Sequence, residues 1–447
     1  MKRHSATRDA GFLHWVFPAM LGVVALGALL SGRDLSQTFM DLASGGGVQH
    51  PLVPWAQRLA SVVLLAASAE RILRHFTQHK PMPSPLLATV FVTFWLTTVA
   101  APAFLGANRQ ISHEYLYPLI FGVAALLVTV PERDRVLDAS RNALFLFMLV
   151  GMLLIPVMPA LVMDTTYQQG LIPGLPRFGG LAPHAVAMGM FAQIALLCLW
   201  CRPFRHRWLN RAAWLLGLGV LFIAQSKTAW IAMLLCVICM FAVRQAPGIW
   251  RRLGDPREGA FGALACMGII FLSLALMGVL LLGDIGNRWE DFSGTSEGAQ
   301  LMTMTGRDQI WAVAMEEWHA NPVFGYGPGL WNEEFRASIN LPNATNAHNQ
   351  FLDTLARSGT VGAIGLVLYA AVLLVMSVRY ARATGGLSLA LFVSLALLSI
   401  SEVPLILFGY GTELFAHLLL IIVLASAASE HVRVPAPRAR PAYRTAS

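Results

Sequence analysis

The sequence predicts an all-α polytopic membrane protein with about twelve transmembrane helices, and three observations predict it. Of 447 residues, 56% are hydrophobic and only 13% are charged. With a mean hydropathy of +0.60, the chain is too apolar for a soluble protein of this length. Apolar runs near the roughly 20 residues that cross a bilayer begin near residues 12, 53, 85, 115, 142, 181, 212, 228, 260, 359, 385 and 413. The basic residues alternate from loop to loop in step with those runs.

The first run follows Lys2 and Arg3 but lacks a small-residue cleavage site, so it reads as a retained span and not a signal peptide. The seventh and eighth runs are short and joined by Gln225-Ser226-Lys227-Thr228, which makes that pair the weakest of the set. Cytoplasmic loops are enriched in Lys and Arg. With both termini inside, 23 of the 32 basic residues are cytoplasmic, among them Arg71, Arg74, Arg133, Arg141, Arg202, Arg244 and Arg379. The nine others are Arg33, Arg58, Arg109, Arg177, Lys227, Arg288, Arg307, Arg336 and Arg357.

The net charge of +8 is therefore topological. Basic residues spread over separate loops do not make the continuous basic face that nucleic acid requires, so nucleic acid is excluded as a partner. Cys198, Cys201, Cys236, Cys239 and Cys266 lie in or beside apolar runs. Their two C-x-x-C spacings lack further ligands, so they read as packing residues and not as a zinc or redox site.

Four blocks follow: spans one to nine over 1–283, one large polar loop between spans nine and ten over 284–358, spans ten to twelve over 359–430, and a basic cytoplasmic tail over 431–447. Within the loop, Asp308 to Ala320 has helical apolar spacing and ends at Asn321-Pro322. The glycines of Gly325-Tyr326-Gly327-Pro328-Gly329 follow a helix and not a strand, so they read as a turn and not a phosphate cradle. A second short helix is expected over 330–338. Asn343-Ala344-Thr345 matches a glycosylation sequon and carries no assigned role. From His348 to Arg357 a helix is expected to lead straight into span ten, with His348 at its start.

On the outer face the sequence offers a histidine, His348, several guanidiniums and one lysine. Imidazole exchanges a proton near neutral pH, and the planar guanidinium fork suits phosphate oxygens. Arg177, Lys227, Arg288 and Arg307 stand at four outer membrane boundaries and can converge on one anion, for which the pyrophosphate of a lipid carrier is the obvious candidate. The one acidic pair with metal-binding spacing, Glu132-Arg133-Asp134, falls in a cytoplasmic loop. Arginines in place of a metal ion are the more economical reading. Glu402, placed by the count inside span eleven, is an intramembrane carboxylate and the feature that favours a rival transporter reading, although a salt bridge or a position near the outer surface fits it at least as well.

Three motifs then appear in order: Gly306-Arg307 with Trp311; Asn321-Pro322-Val323-Phe324-Gly325-Tyr326-Gly327-Pro328-Gly329; and Ala347-His348-Asn349 with Leu352. Together they resemble the core of the O-antigen ligase and polymerase superfamily, whose large periplasmic loop carries G-R-x-x-x-W, P-x-x-G-x-G-x-G and A-H-N-x-x-L. Arg177 with Phe178-Gly179-Gly180 is similar to a family arginine before the sixth span, and Ser226-Lys227 to a Ser-Arg pair, with lysine as a departure. Pro183-His184 stands where Pro-Asn is common.

The resemblance implies a GT-C-like fold in a bacterial inner membrane, with both termini cytoplasmic and a periplasmic active site. It implies metal-independent, inverting transfer of a glycan from undecaprenyl pyrophosphate to an acceptor hydroxyl, with no cofactor. The leading expectation is O-antigen ligase, a glycosyltransferase that moves O-polysaccharide onto lipid A-core to complete lipopolysaccharide. Polymerase and protein O-oligosaccharyltransferase are the alternatives within the superfamily. The expected catalytic residues are His348, Arg288 and Arg307; Arg177, Lys227 and Asn349 are expected to bind substrate. Expected partners are the undecaprenyl pyrophosphate-linked O-antigen, lipid A-core and membrane lipids, with the protein working as a monomer.

Overall fold

The computed structural model describes residues 12–35, 50–165, 174–253, 307–342, 344–408 and 414–433. Its helices are α1 (Leu13–Leu30), α2 (Leu52–Thr77), α3 (Pro85–Leu105), α4 (Leu116–Leu126), α5 (Val130–Leu153), α6 (Ala185–Cys201), α7 (Arg207–Ile223), α8 (Lys227–Leu253), α9 (Arg307–Ala320), α10 (Glu333–Ser338), α11 (Gln350–Arg379), α12 (Leu387–Ser401) and α13 (Leu414–Arg433). Helices cover or begin within five residues of eleven of the twelve expected starts, although the helices at the expected 142 and 359 begin earlier, at Val130 and Gln350; the ninth run, near residue 260, lies outside the described residues. Among the described residues, α1, α2, α3, α5, α8 and α11 are long and apolar enough to cross a membrane.

The shorter helices differ in what surrounds them. Along α6, every residue from Ala187 to Leu199 is buried, and along α13 so is every residue from Leu414 to Ala428. A helix apolar on all sides is at home in a core or in lipid, and these two form the core. By contrast α2 exposes Leu59, Val62, Val63 and Leu73, the outward face of a rim helix.

Local chemistry fixes the helix starts. Ser84 Oγ accepts from the Leu87 N–H ahead of Pro85, and Thr129 with Glu132 forms a capping box at α5. A hydrogen-bonded capping His184 opens α6 through its Nδ1, which accepts from the Ala187 N–H at 3.2 Å. One small departure from an all-α chain is a ribbon of β1 (Met163–Asp164) and β2 (Arg177–Phe178), antiparallel with Asp164 opposite Arg177.

Arg33, just past α1, holds this region together. It donates to the carbonyls of Ala182 (2.5 Å), Gly180 (2.7 Å) and Leu161 (3.0 Å). Burial lowers its pKa to about 10.

Helix α11 does not run straight. Gly359 has φ 62° and ψ −164°, and the helix breaks there. In a straight helix the Thr360 and Val361 N–H groups would bond the Ala356 and Arg357 carbonyls. Instead they donate to Pro322 (2.8 Å) and Val323 (3.2 Å), while those two carbonyls accept from Tyr326 and Gly327, each at 2.9 Å. The Asn321–Gly327 turn is thus inserted into the break and replaces all four lost bonds. In a low-dielectric surrounding each orphan group would cost several kcal/mol.

The insertion explains the glycines. A Cβ on Gly325 would lie 2.6 Å from the Ala356 carbonyl oxygen and 2.6 Å from the Gly359 nitrogen, and Gly325 also has φ 68°. The N–H groups of Gly325, Tyr326 and Gly327 are all committed to backbone carbonyls, so the turn offers no phosphate cradle. The expected second helix is shorter than 330–338: Trp331 has φ 65° and Asn332 caps α10, its Oδ1 accepting from the Phe335 N–H at 2.7 Å.

Candidate active site

The turn before α11 is built from its flanks. Asp353, one turn into the helix, is 2% exposed. Its Oδ1 accepts from the Ala347 N–H (3.0 Å) and Trp331 Nε1 (2.9 Å), and its Oδ2 from Arg357 Nε (2.8 Å). Arg357 donates onward to the Pro328 carbonyl at 2.6 Å. From the other side Trp311 Nε1 donates to the Ala347 carbonyl at 2.9 Å. Ala347 is therefore gripped through both its N–H and its C=O, and the next residue is His348.

His348 takes φ 47°, unusual for a residue with a side chain; its N–H donates to Asn346 Oδ1 at 2.7 Å. Asn349 caps α11, its Oδ1 accepting from the N–H groups of Phe351 (3.0 Å) and Leu352 (3.1 Å), and its Nδ2 donating to the Ile400 carbonyl at 3.4 Å. The side chain expected to touch substrate thus has structural work, and the helix begins at Gln350, two residues after His348.

Facing the imidazole is Glu402. The carboxyl oxygen Oε2 lies 3.1 Å from His348 Nδ1, and Oε1 lies 3.8 Å from Arg307 Nη2. Glu402 is not inside the helix as the span count placed it: α12 ends at Ser401 and Glu402 is its C-cap. Its pairing with His348 and Arg307 accords with the salt-bridge reading of this carboxylate. Burial pushes the Glu402 carboxyl up, but the hydrogen bond from His348 and the charges of His348, His184 and Arg307 outweigh it and hold the group below the usual carboxylate range.

Arg307 opens α9, and Trp311 follows one turn later on the same face. One helix thus carries both the grip on Ala347 and the cation near Glu402, which accounts for the spacing of the Gly306-Arg307…Trp311 motif.

Arg177 and Lys227 join from a second direction. Arg177, in β2 and 9% exposed, donates from Nε to the Ala224 carbonyl at 3.3 Å. Gln225 Nε2 donates back to the Leu175 carbonyl at 2.7 Å. Lys227 follows in that turn and is exposed; its neighbour Thr228 has its hydroxyl 3.4 Å from that of Ser401, beside Glu402. The structure brings His348, Asn349 and Arg307 to one corner, and its hydrogen bonds link the Arg177 and Lys227 segments to the same end of α12. Arg288 lies outside the described residues.

Sequence reasoning reached Glu402 as a candidate salt-bridge carboxylate but not its partners. Glu402 is the one carboxylate between Asp353 and Glu413, a signal of function that gave no indication of its partner. At the opposite end of the bundle, Glu132 accepts from Arg71 at 2.7 and 2.9 Å, and Asp134 lies 2.9 Å from Arg133 and 3.4 Å from Arg202. Both carboxylates of the pair with metal-binding spacing are thus engaged by arginines.

The family model described as O-antigen ligase matches residues 212–367. No curated protein matches the chain. The matched stretch contains Lys227, Arg307, His348 and Asn349, and over residues 212–367 the chain is similar to the O-antigen ligase family.

Proposed function

We propose that this protein is an O-antigen ligase: it transfers O-polysaccharide from undecaprenyl pyrophosphate to a hydroxyl of lipid A-core on the periplasmic side of the inner membrane. The observation that carries the reading is the corner where His348 and Arg307 share Glu402, at 3.1 and 3.8 Å; His348 and Arg307 lie inside the segment that the ligase family model matches.

The chemistry is one displacement. The acceptor hydroxyl oxygen attacks the anomeric carbon from the face opposite the pyrophosphate. A new C–O glycosidic bond forms and the old C–O bond breaks, its electron pair leaving on the pyrophosphate oxygen, with inversion at carbon. His348 takes the hydroxyl proton, a contribution typically of about 10²- to 10⁴-fold. Arg307, Arg288, Arg177 and Lys227 are assigned to the charge growing on the departing diphosphate, where one well-placed donor contributes about 3 kcal/mol. No protein nucleophile is required.

The test is reconstitution of purified protein in EDTA with undecaprenyl pyrophosphate-linked O-antigen and lipid A-core, followed by mass spectrometry. Glycan joined to lipid A-core supports the ligase and its metal-free mechanism. Longer carrier-linked glycan without a core product makes the protein a polymerase, and absence of any transfer rejects the glycosyltransferase reading.

A further inference from the structure

We propose that Glu402 is a positioning residue for the transfer reaction: it fixes His348 in the tautomer whose Nε2 accepts the proton, and it holds Arg307 beside the base without consuming it. The inference rests on the reading of His348 as the acceptor-side base.

The tautomer follows from hydrogen-bond inventory. An ionised carboxylate can only accept, and the groups around Glu402 keep it ionised. At 3.1 Å from Oε2, His348 Nδ1 must therefore carry the hydrogen. The lone pair is left on Nε2, the atom free to take a proton from an incoming hydroxyl. The other tautomer would present an N–H to that hydroxyl and could not act as base. As the imidazolium forms, the carboxylate already in place compensates its charge.

Both partners are braced by backbone. The Glu402 N–H donates to the Leu398 carbonyl at 2.7 Å. The end of α12 is held to the start of α11 by Asn349 on Ile400, and the segment after it by the Leu405 N–H on Gln350 Oε1 at 2.8 Å. His348 is set by the grip on Ala347. The charged and titratable groups acting on Glu402 are His348 from the α11 turn, Arg307 from α9 and His184 from the start of α6.

The contact with Arg307 has a different character. At 3.8 Å it is longer than a hydrogen bond, so the carboxylate orients the guanidinium electrostatically. Among the described residues no other group engages the Arg307 N–H groups, which are left to a diphosphate. One carboxylate thereby sets the spacing between the base that serves the acceptor and a cation that serves the donor.

The experiment compares full-length wild type, Glu402→Gln, Glu402→Asp and His348→Ala in the reconstituted transfer assay, with the undecaprenyl pyrophosphate-linked glycan and lipid A-core as substrates. Melting in detergent is followed in parallel. A glutamine amide donates as readily as it accepts, so it no longer dictates the tautomer. Expected for Glu402→Gln is a fall in kcat of about 100-fold with KM for the carrier changed far less. Glu402→Asp should recover much of kcat, and it carries the test alone if the glutamine variant does not accumulate.

The positioning role is overturned if Glu402→Gln keeps kcat within threefold. It is equally overturned if kcat falls and aspartate restores nothing, or if KM for the carrier rises as much as kcat falls. His348→Ala separates the two layers: turnover without the imidazole defeats the base assignment itself, whereas a dead His348→Ala beside an unaffected Glu402→Gln defeats only the inference.

Discussion

The two ends of the helix bundle use the same residue types in opposite ways. At one end Arg71 makes a two-pronged bond to Glu132 and also donates to the carbonyls of Ala124 (3.2 Å) and Leu127 (2.7 Å). Asp138 lies 2.9 Å from Arg202 and 3.3 Å from Arg141. There each of these carboxylates has at least one arginine at close range, and the network ties α2, α4, α5 and the segment after α6 together. At the other end, Glu402 meets a histidine at bonding distance and an arginine at 3.8 Å. Charges matched tightly to each other hold helices in place, whereas a charge shared loosely between two partners leaves both able to act on something else.

Mutation should separate the two ends. The largest effect is expected at His348: His348→Ala should lower transfer by about 10³-fold or more with an unchanged melting profile, read as glycan joined to acceptor per folded protein. Arg307→Ala follows. It should cost about 10²-fold and change the dependence on carrier concentration, which His348→Ala should not; an unaltered carrier dependence would remove Arg307 from the diphosphate.

Asp353→Ala tests the bracing beneath the site. It leaves Arg357, 7% exposed, buried without its carboxylate, a loss of roughly 3 to 5 kcal/mol, so reduced thermal stability should accompany lost activity. At the opposite end Glu132→Gln should lower stability by a smaller amount while leaving turnover per folded molecule intact. A turnover defect there would break the comparison between the two ends.

The smallest effect is in the pH dependence of stability. Because the Glu402 carboxyl is held below its ordinary value, the stability it contributes is present above its unfolded-state pKa and is lost as pH falls through the folded-state one. The melting difference between wild type and Glu402→Gln should be full near neutral pH and should close under acidic conditions. A difference that stays constant would mean the carboxylate is not ionised in the fold.

Much of this was legible in the sequence. Apolar runs marked the helices because a bilayer-length stretch needs no partner to be recognised, and α9 ends, as expected, at Ala320, before Asn321-Pro322. His348 and Arg307 were legible as candidates because polar residues are scarce at that end. The break at Gly359 was not legible: a glycine inside a helical pattern marks a break only when another backbone fills it, and the Asn321–Gly327 turn lies more than thirty residues earlier. Glu402 was misplaced for a related reason. Apolar residues run up to it and resume beyond Pro404, so hydropathy cannot show that the helix stops at Ser401. Asn349 was read as a substrate contact because motifs do not distinguish a residue that touches ligand from one that caps the helix behind it.

The most direct test is transfer turnover, normalised to folded protein, for His348→Ala and Glu132→Gln side by side in reconstituted vesicles. The account predicts no detectable transfer for the first and wild-type turnover for the second. Comparable activity in the two variants, or a loss confined to Glu132→Gln, would contradict the assignment of chemistry to the His348 end.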